Sequence, residues 1–326
     1  MSHILLMDDW QQNIDGRKGA TMRNLYKYKG IIPAFYACYD EKGNVSTERT
    51  EKFTEYLINK GIKGLYVCGS SGECIYQSKE ERKQILESVM KVAKGKLTII
   101  AHVGCNNTAD SAELAAHAES VGADAIASIP PIYFHLPDYA IADYWNDISA
   151  AAPNTDFIIY NIPQLAGVAL STSLYRKMRE NPRVIGVKNS SMPVQDIQMF
   201  KDIGGEDSVV FNGPDEQFVS GRIMGADAGI GGTYAVMPEL YLAADTAVQK
   251  GNFQKAQEIQ YKIDRIIYAM CECHGNLYAV MKEILRNQGI DIGGVRKPLP
   301  AITKDDKQQI EVCIQMIKEA IDSLNE

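Results

Sequence analysis

The sequence lacks the features that mark membrane-spanning, secreted and nucleic-acid-binding proteins. No apolar run approaches the roughly 20 residues that a helix needs to cross a bilayer, so we expect no membrane partner. The 34 lysines and arginines are outnumbered by 41 aspartates and glutamates, which leaves no basic stripe to meet nucleic-acid phosphates. Residues 1–10 have neither a basic leader nor a long apolar core, so we expect no signal peptide there.

The cysteines do not form the pattern of a disulfide framework or of a metal site. Seven cysteines cannot all pair, and most of them lie inside apolar or helical patterns. We therefore predict reduced thiols and a cytoplasmic location. Cys271, Cys273 and His274 lie close together, but their C-x-C spacing has no second cysteine pair at a usual distance, so we predict no metal site.

The chain does have a regular alternation of short apolar runs and amphipathic stretches. The eight apolar runs are Ile31–Ala37, Gly64–Cys68, Leu97–Val103, Ala123–Ile129, Phe157–Asn161, Val184–Lys188, Ser208–Asn212 and Ala226–Gly232. Helical spacing appears between most of them, as in Thr47–Lys60, Lys79–Val92, Thr108–Val121 and Ile141–Ala151. The pattern predicts an α/β fold, a (β/α)8 TIM barrel with a C-terminal helical appendage.

A doubly wound open sheet is the alternative fold. It usually carries a glycine-rich turn after its first strand, and residues 38–41 are Cys-Tyr-Asp-Glu instead. We expect residues 1–27 to be an N-terminal extension, 28–237 the barrel with the active site, and 238–326 a helical region. No low-complexity linker separates these parts, so we treat them as one structural unit.

Two polar residues end neighbouring strands of this predicted barrel. Lys188 ends an apolar run, and Tyr160 ends the run one strand–helix unit earlier. Burial would lower the pKa of the lysine and make its amine a nucleophile toward carbonyls, and a nearby phenol could carry a proton. A lysine that extends to solvent and an ordinary core tyrosine are the alternatives.

The loops after other strands carry residues suited to a polar ligand. Gly69–Glu73 combines glycines with two serines, which fits binding of a carboxylate or phosphate oxygen and equally fits a plain turn. Asp215 and Glu216 follow a Gly-Pro turn, where they could bind hydroxyls or cap a helix. The glycines of Gly229–Gly232 suit close approach by a ligand.

Together these motifs resemble the N-acetylneuraminate lyase and dihydrodipicolinate synthase superfamily of class I aldolases. The resemblance covers about Gly30 to Pro300, and within the superfamily the segments 101–105 and 160–168 are most similar to the sialic acid lyases. The specific motifs are Gly-Ser-Ser-Gly-Glu at 69–73, Tyr-Asn-Ile-Pro at 160–163, Gly-Val-Lys at 186–188 and Asn-Gly-Pro-Asp-Glu at 212–216. The resemblance implies a homotetramer that cleaves N-acetylneuraminate to N-acetylmannosamine and pyruvate without a cofactor.

The resemblance also implies a role for each site residue. Lys188 would form the Schiff base with the C2 ketone, Tyr160 would take the proton of the C4 hydroxyl, and Tyr133 would be a relay member. The implied substrate-binding residues are Ser70 and Ser71 for the C1 carboxylate, Ser190, and Gly213, Asp215, Glu216 and Gly232 for the polyhydroxyl tail.

Two positions distinguish the branches of the superfamily. The synthases carry an arginine two positions after the proline of the Tyr-Asn motif, and Leu165 stands there in this chain. Gly232 stands where sialic acid lyases have a serine, which affects the tail contacts.

Three other functions compete with a sialic acid aldolase. An aldolase for 2-keto-3-deoxygluconate would leave Asp215 and Glu216 without tail hydroxyls to bind. A keto-acid sensor would have no use for an iminium-forming amine such as Lys188. A glycoside hydrolase would need two opposed carboxylates, and adjacent acids on one loop do not supply them.

Overall fold

The structure is a computed structural model that describes residues 25–325. Within that range, eight parallel strands form one sheet in the order β1-β8-β7-β6-β5-β4-β3-β2. The sheet closes through a bridge between Ala34 and Tyr66, where the Phe35 amide donates to the Tyr66 carbonyl at 2.9 Å. The predicted (β/α)8 barrel is therefore confirmed. The strands are β1 (Gly30–Pro33), β2 (Gly64–Val67), β3 (Thr98–His102), β4 (Ala125–Ser128), β5 (Asp156–Asn161), β6 (Val184–Asn189), β7 (Val209–Asn212) and β8 (Ala228–Gly231).

Helices follow every strand of the barrel and continue beyond it. In the described part of the chain they are α1 (Thr47–Asn59), α2 (Lys79–Ala93), α3 (Thr108–Val121), α4 (Asp138–Ala151), α5 (Pro163–Ala166), α6 (Thr172–Met178), α7 (Gln195–Gly204), α8 (Phe218–Ile223), α9 (Pro238–Gln249), α10 (Phe253–Cys271), α11 (Leu277–Asn287) and α12 (Asp306–Asp322). Short 3-10 turns occupy Tyr26–Tyr28, Cys74–Tyr76, Asp215–Gln217, Thr233–Ala235 and Ser323–Asn325.

Local sequence signals explain where several of these helices begin and end. Ser78 and Glu81 form a capping box at the start of α2, each side chain accepting a hydrogen bond from the other residue's backbone amide. Asn107 caps α3, which ends at Gly122 in the left-handed conformation with φ of 89°. Such caps account for the agreement within one residue between the predicted and observed bounds of α1 to α3. Helix α4 has no side-chain cap and begins at Asp138, three residues before its predicted start at Ile141.

The strands are apolar on both faces because helices cover the outside of the barrel and side chains fill the inside. The interior cluster includes buried side chains from alternate strand positions, among them Ile32, Tyr66, Ile100, Ala127, Ile158, Tyr160, Phe211 and Ile230. Leu25 and Tyr28 belong to the same cluster, and the Tyr28 hydroxyl donates to the Asp124 carbonyl near the amino end of β4. The amino-terminal end of the barrel is thus filled, and the carboxyl ends of the strands meet at the opposite mouth.

The region after β8 is helical, as the sequence predicts. Helix α9 packs against β1 and α10, and α12 packs against α10 and α11. None of the helices in residues 25–325 is long and apolar enough to cross a membrane. The predicted N-terminal extension, 1–27, lies outside the described residues except for its last three.

Candidate active site

Lys188 lies at the carboxyl end of β6, directly opposite Tyr160 on β5. The two residues are register partners in the parallel pair, so their side chains point to the same side of the sheet. Only 4% of Lys188 is exposed. The prediction that these residues end adjacent strands at one mouth is confirmed.

The amine of Lys188 lies between two aromatic rings. Its Nζ is 3.8 Å from the ring centroid of Tyr160 and 4.1 Å from that of Tyr66. Burial lowers the pKa of Lys188 from 10.5 to about 7, although the Asp215 carboxylate acts in the opposite direction. A large fraction of the amine is therefore neutral near pH 7, which is the form that attacks a carbonyl.

Tyr160 is held as a neutral phenol. Burial raises its pKa to about 12, and hydrogen bonding with the side chains of Ser70 and Ser190 offsets part of that rise. A phenol with this pKa stays protonated and carries no negative charge at neutral pH. It can accept one proton as it passes another to a hydroxyl neighbour, which is the chemistry that a proton relay needs.

The loop Gly69–Glu73 turns tightly after β2. The amides of Gly72 and Glu73 donate to the carbonyls of Gly69 and Ser70 at 3.0 Å each. Glu73 has a φ of 57°, a left-handed conformation that is uncommon outside glycine. This turn brings the side chains of Ser70 and Ser71 to the barrel mouth beside Tyr160.

Asp215 lies at the end of β7 and binds the neighbouring end of β8. Its carboxylate accepts hydrogen bonds from the Gly232 amide at 3.2 Å, and from the Thr233 amide and hydroxyl at 2.6 and 2.7 Å. Burial raises the pKa of Asp215 to about 6, against these hydrogen bonds. Glu216, the next residue, is exposed. The two adjacent acids therefore have different surroundings.

A cavity of about 350 Å³ opens at the mouth and joins these parts. It is lined by Lys188, Tyr160 and every predicted substrate-binding residue, namely Ser70, Ser71, Ser190, Gly213, Asp215, Glu216 and Gly232. Leu165 also lines it, so the place of the synthase arginine is taken by an apolar side chain in the cavity wall.

Tyr133 is the predicted site residue that the chain does not bring to this cavity. It is 87% exposed, has a φ of 86°, and packs edge-on against Phe134. It lines a separate surface depression with Asn106 and Asp143. The loop after β4 turns outward here, so Tyr133 has no contact with the Lys188 cavity of its own chain, and its relay role stays a prediction.

The cavity also contains residues that the motifs did not reveal. Tyr278 and Met281 of α11 line it, as do Gln164 and Met192. Sequence reasoning looked for site residues at strand ends, where barrels carry them, and α11 is a later helix outside that rule. The amphipathic pattern of α11 gave no signal that its first turn reaches the mouth.

Comparison with known proteins places the chain in a family. The model of the dihydrodipicolinate synthetase family matches residues 27–317. The chain belongs to this family. Membership in the dihydrodipicolinate synthetase family confirms the superfamily that the motifs predicted.

Relatives within the family are named for sialic acid cleavage. An N-acetylneuraminate lyase of Mediterraneibacter gnavus is 64% identical over 305 residues, 93% of this chain and 97% of that one. A Ruminococcus gnavus sialic acid aldolase with a mutated catalytic lysine is 63% identical with a TM-score of 0.92, covering 93% of this chain and 100% of that one. CdNal of Clostridium difficile, solved with mannosamine, is 28% identical with a TM-score of 0.84, covering 88% and 98%.

Proposed function

We propose that this protein is a class I aldolase that cleaves N-acetylneuraminate to N-acetylmannosamine and pyruvate. The observation that carries the proposal is the buried amine of Lys188, with its pKa near 7, beside the Tyr160 phenol in an open cavity. The lyase names of relatives at 63–64% identity support the same reaction.

The reaction begins at Lys188. The neutral amine adds to the C2 ketone of the open-chain sugar acid, and protonation of the carbinolamine hydroxyl followed by loss of water leaves an iminium. Tyr160 then takes the proton of the C4 hydroxyl while it passes its own proton onward, and the C3–C4 bond breaks with its electrons drawn into the iminium. Release of N-acetylmannosamine leaves an enamine, which gains a proton at C3, and hydrolysis frees pyruvate. The iminium is the electron sink, so the chemistry requires no cofactor.

The other cavity residues hold the two ends of the substrate. We assign Ser70 and Ser71 to the C1 carboxylate, since small hydroxyls on a tight turn suit an anionic oxygen. Ser190 lies beside Tyr160, and we assign it to the reacting end of the substrate. Gly213, Asp215, Glu216 and Gly232 lie across the cavity, and we assign them to the polyhydroxyl tail.

The test is pyruvate release from N-acetylneuraminate, with 2-keto-3-deoxygluconate run beside it. We expect release from the first substrate and a borohydride-trapped pyruvate adduct at Lys188. The Lys188→Met variant, a neutral side chain of similar length, is the control and should show neither. Faster release from the shorter substrate, or an adduct on another lysine, would refute the proposal.

We also propose that the protein is a cytoplasmic homotetramer. All seven cysteines are free thiols, which suits a reducing compartment. Tyr133 and Phe134 are 87% and 71% exposed on one outward loop, and such an aromatic pair is typical of a contact between chains. If Tyr133 takes part in the reaction, it reaches the cavity of another copy.

A further inference from the structure

A buried ion pair connects the serine loop to the C-terminal helical region. Lys282 on α11 donates from Nζ to Glu73 Oε1 at 2.6 Å and to the Gly294 carbonyl at 2.6 Å. The other oxygen of Glu73 accepts from the Arg296 amide at 2.9 Å. Both charged side chains are essentially inaccessible to water, at 1% and 0% exposure. The reaction described above uses neither of them.

The position of Glu73 makes this pair informative. Glu73 is the last residue of the serine loop and has the left-handed φ of 57°. A non-glycine residue keeps that conformation only where its surroundings fix it, and here the carboxylate is fixed at both oxygens. The ion pair and the amide hydrogen bonds of Gly72 and Glu73 together fix the end of the backbone turn that carries Ser70 and Ser71.

A second contact from the same helix reaches the same loop. Tyr278 lies one turn before Lys282 on α11, so both side chains emerge on one face. Tyr278 and Ser71 line the same cavity, and burial raises the pKa of Tyr278 while interaction with the Ser71 side chain offsets part of that rise. One face of α11 thus holds both the middle and the end of the serine loop.

We propose that α11 positions the carboxylate-binding loop, with Lys282 acting through Glu73 and Tyr278 acting through Ser71. This inference rests on the proposed function, because it assigns the substrate carboxylate to Ser70 and Ser71. In this arrangement Tyr278 fixes the position of the Ser71 side chain in the cavity wall, where the substrate carboxylate is assigned. Tyr278 is thereby a positioning residue for carboxylate recognition.

Gly232 leaves room for this arrangement. A Cβ at position 232 would lie 3.3 Å from Ser71 Oγ, so a serine there would add a second side-chain contact to Ser71 beside Tyr278. Glycine makes no such contact. The departure from serine at position 232 and the tyrosine on α11 are then parts of one feature.

The experiment compares imine formation with pyruvate and with pyruvamide, its uncharged analogue, by borohydride trapping at Lys188. We expect Tyr278→Phe to raise the half-saturating pyruvate concentration by about 3–10-fold, the range of one neutral hydrogen bond. The half-saturating concentration of pyruvamide should change by less than about twofold. Lys282→Met should show the same selective loss, and larger. Tyr56→Phe, which removes a phenol bonded to Gln288 at the far end of α11, is the matched control and should change neither value.

A double-mutant cycle separates positioning from simple support of the fold. In the Ser71→Ala background, Tyr278→Phe should change the half-saturating pyruvate concentration by less than about twofold, because the serine through which Tyr278 acts is already absent. Equal losses for both ketones, additive effects with Ser71→Ala, or no loss in Tyr278→Phe would overturn the inference, whether or not Lys282→Met folds. Absence of any adduct in the wild type would instead refute the proposed function.

Discussion

At the scale of single residues, Lys188 is subject to two opposed forces. The ring faces of Tyr66 and Tyr160 attract a cation, and burial disfavours one. Burial is the stronger effect, since it brings the pKa to about 7. The protonated imine that follows carries a positive charge while the C3–C4 bond breaks, so the rings contribute more to this intermediate than to the neutral amine.

The rate of imine formation should depend on pH through Lys188. Only the neutral amine attacks, so the trapping rate with pyruvate should rise roughly tenfold between about pH 6 and pH 8, with a midpoint near 7. Borohydride trapping of the pyruvate adduct, stopped at fixed times over a series of pH values, measures this rate. A midpoint near the ordinary lysine value of 10.5 would contradict the burial argument.

Removal of the Lys188 charge should stabilise the fold. The folded pKa is lowered from 10.5 to about 7, so the cost of the buried charge is full below pH 7 and fades as the pH rises toward 10.5. Lys188→Met should raise the free energy of unfolding by about 2–4 kcal/mol at pH 7. Urea unfolding of the wild type and the variant at pH 7 and pH 9 tests this prediction. A gain in the free energy of unfolding that is as large at pH 9 as at pH 7 would contradict it.

Asp215 and Glu216 should respond differently to substitution. Glu216→Ala should weaken N-acetylneuraminate cleavage about tenfold, since its exposed carboxylate is free to bind tail hydroxyls, and should leave pyruvate trapping unchanged. Asp215→Ala should impair both assays, because its carboxylate holds Gly232 and Thr233. Parallel losses in the two variants would mean that Glu216 also has a structural role.

At the scale of elements, Gly186 shows how closely β6 and β7 approach. A Cβ at this position would lie 1.8 Å from the Val209 carbonyl oxygen. Gly186→Ala should therefore force the strands apart and lower the free energy of unfolding by about 3 kcal/mol or more. Gly294→Ala, where an added Cβ meets no heavy atom within 4 Å, is the control and should stay within about 0.5 kcal/mol. Equal free energies of unfolding for the two variants, measured by urea denaturation, would contradict this prediction.

The strands and helices could be predicted where the apolar residues recur with the period of that structure. Strand–helix alternation and caps such as Gly122 are local signals, so the barrel and the pairing of Tyr160 with Lys188 followed from the chain. The hydrogen bonds of Asp215 to the residues after β8, and the place of Tyr278 beside Ser71 in the cavity wall, join distant segments. No local pattern records such contacts, and the outward direction of Tyr133 depends on loop conformation in the same way.

At the scale of the whole molecule, the outward aromatic loop makes assembly testable. Light scattering should give about four times the chain mass of 36.1 kDa for the wild type. Phe134→Glu should produce smaller species, because a carboxylate in a chain contact loses its hydration. Tyr261→Glu on α10, an exposed tyrosine elsewhere, is the comparison. A monomeric wild type would refute the tetramer.

The cavity is lined by two stretches of the chain that are far apart in the sequence. Tyr160 and Lys188, the proposed reacting groups, lie on β5 and β6, while Tyr278 and Met281 enter from α11, about ninety residues later. Changes in the first turn of α11 can therefore alter which carboxylate or tail is accepted while the amine and phenol stay where they are. Substitutions in this helix could change the preferred substrate without passing through inactive variants. Variant libraries confined to the helix would therefore sample substrate selectivity while the amine and the phenol are unchanged.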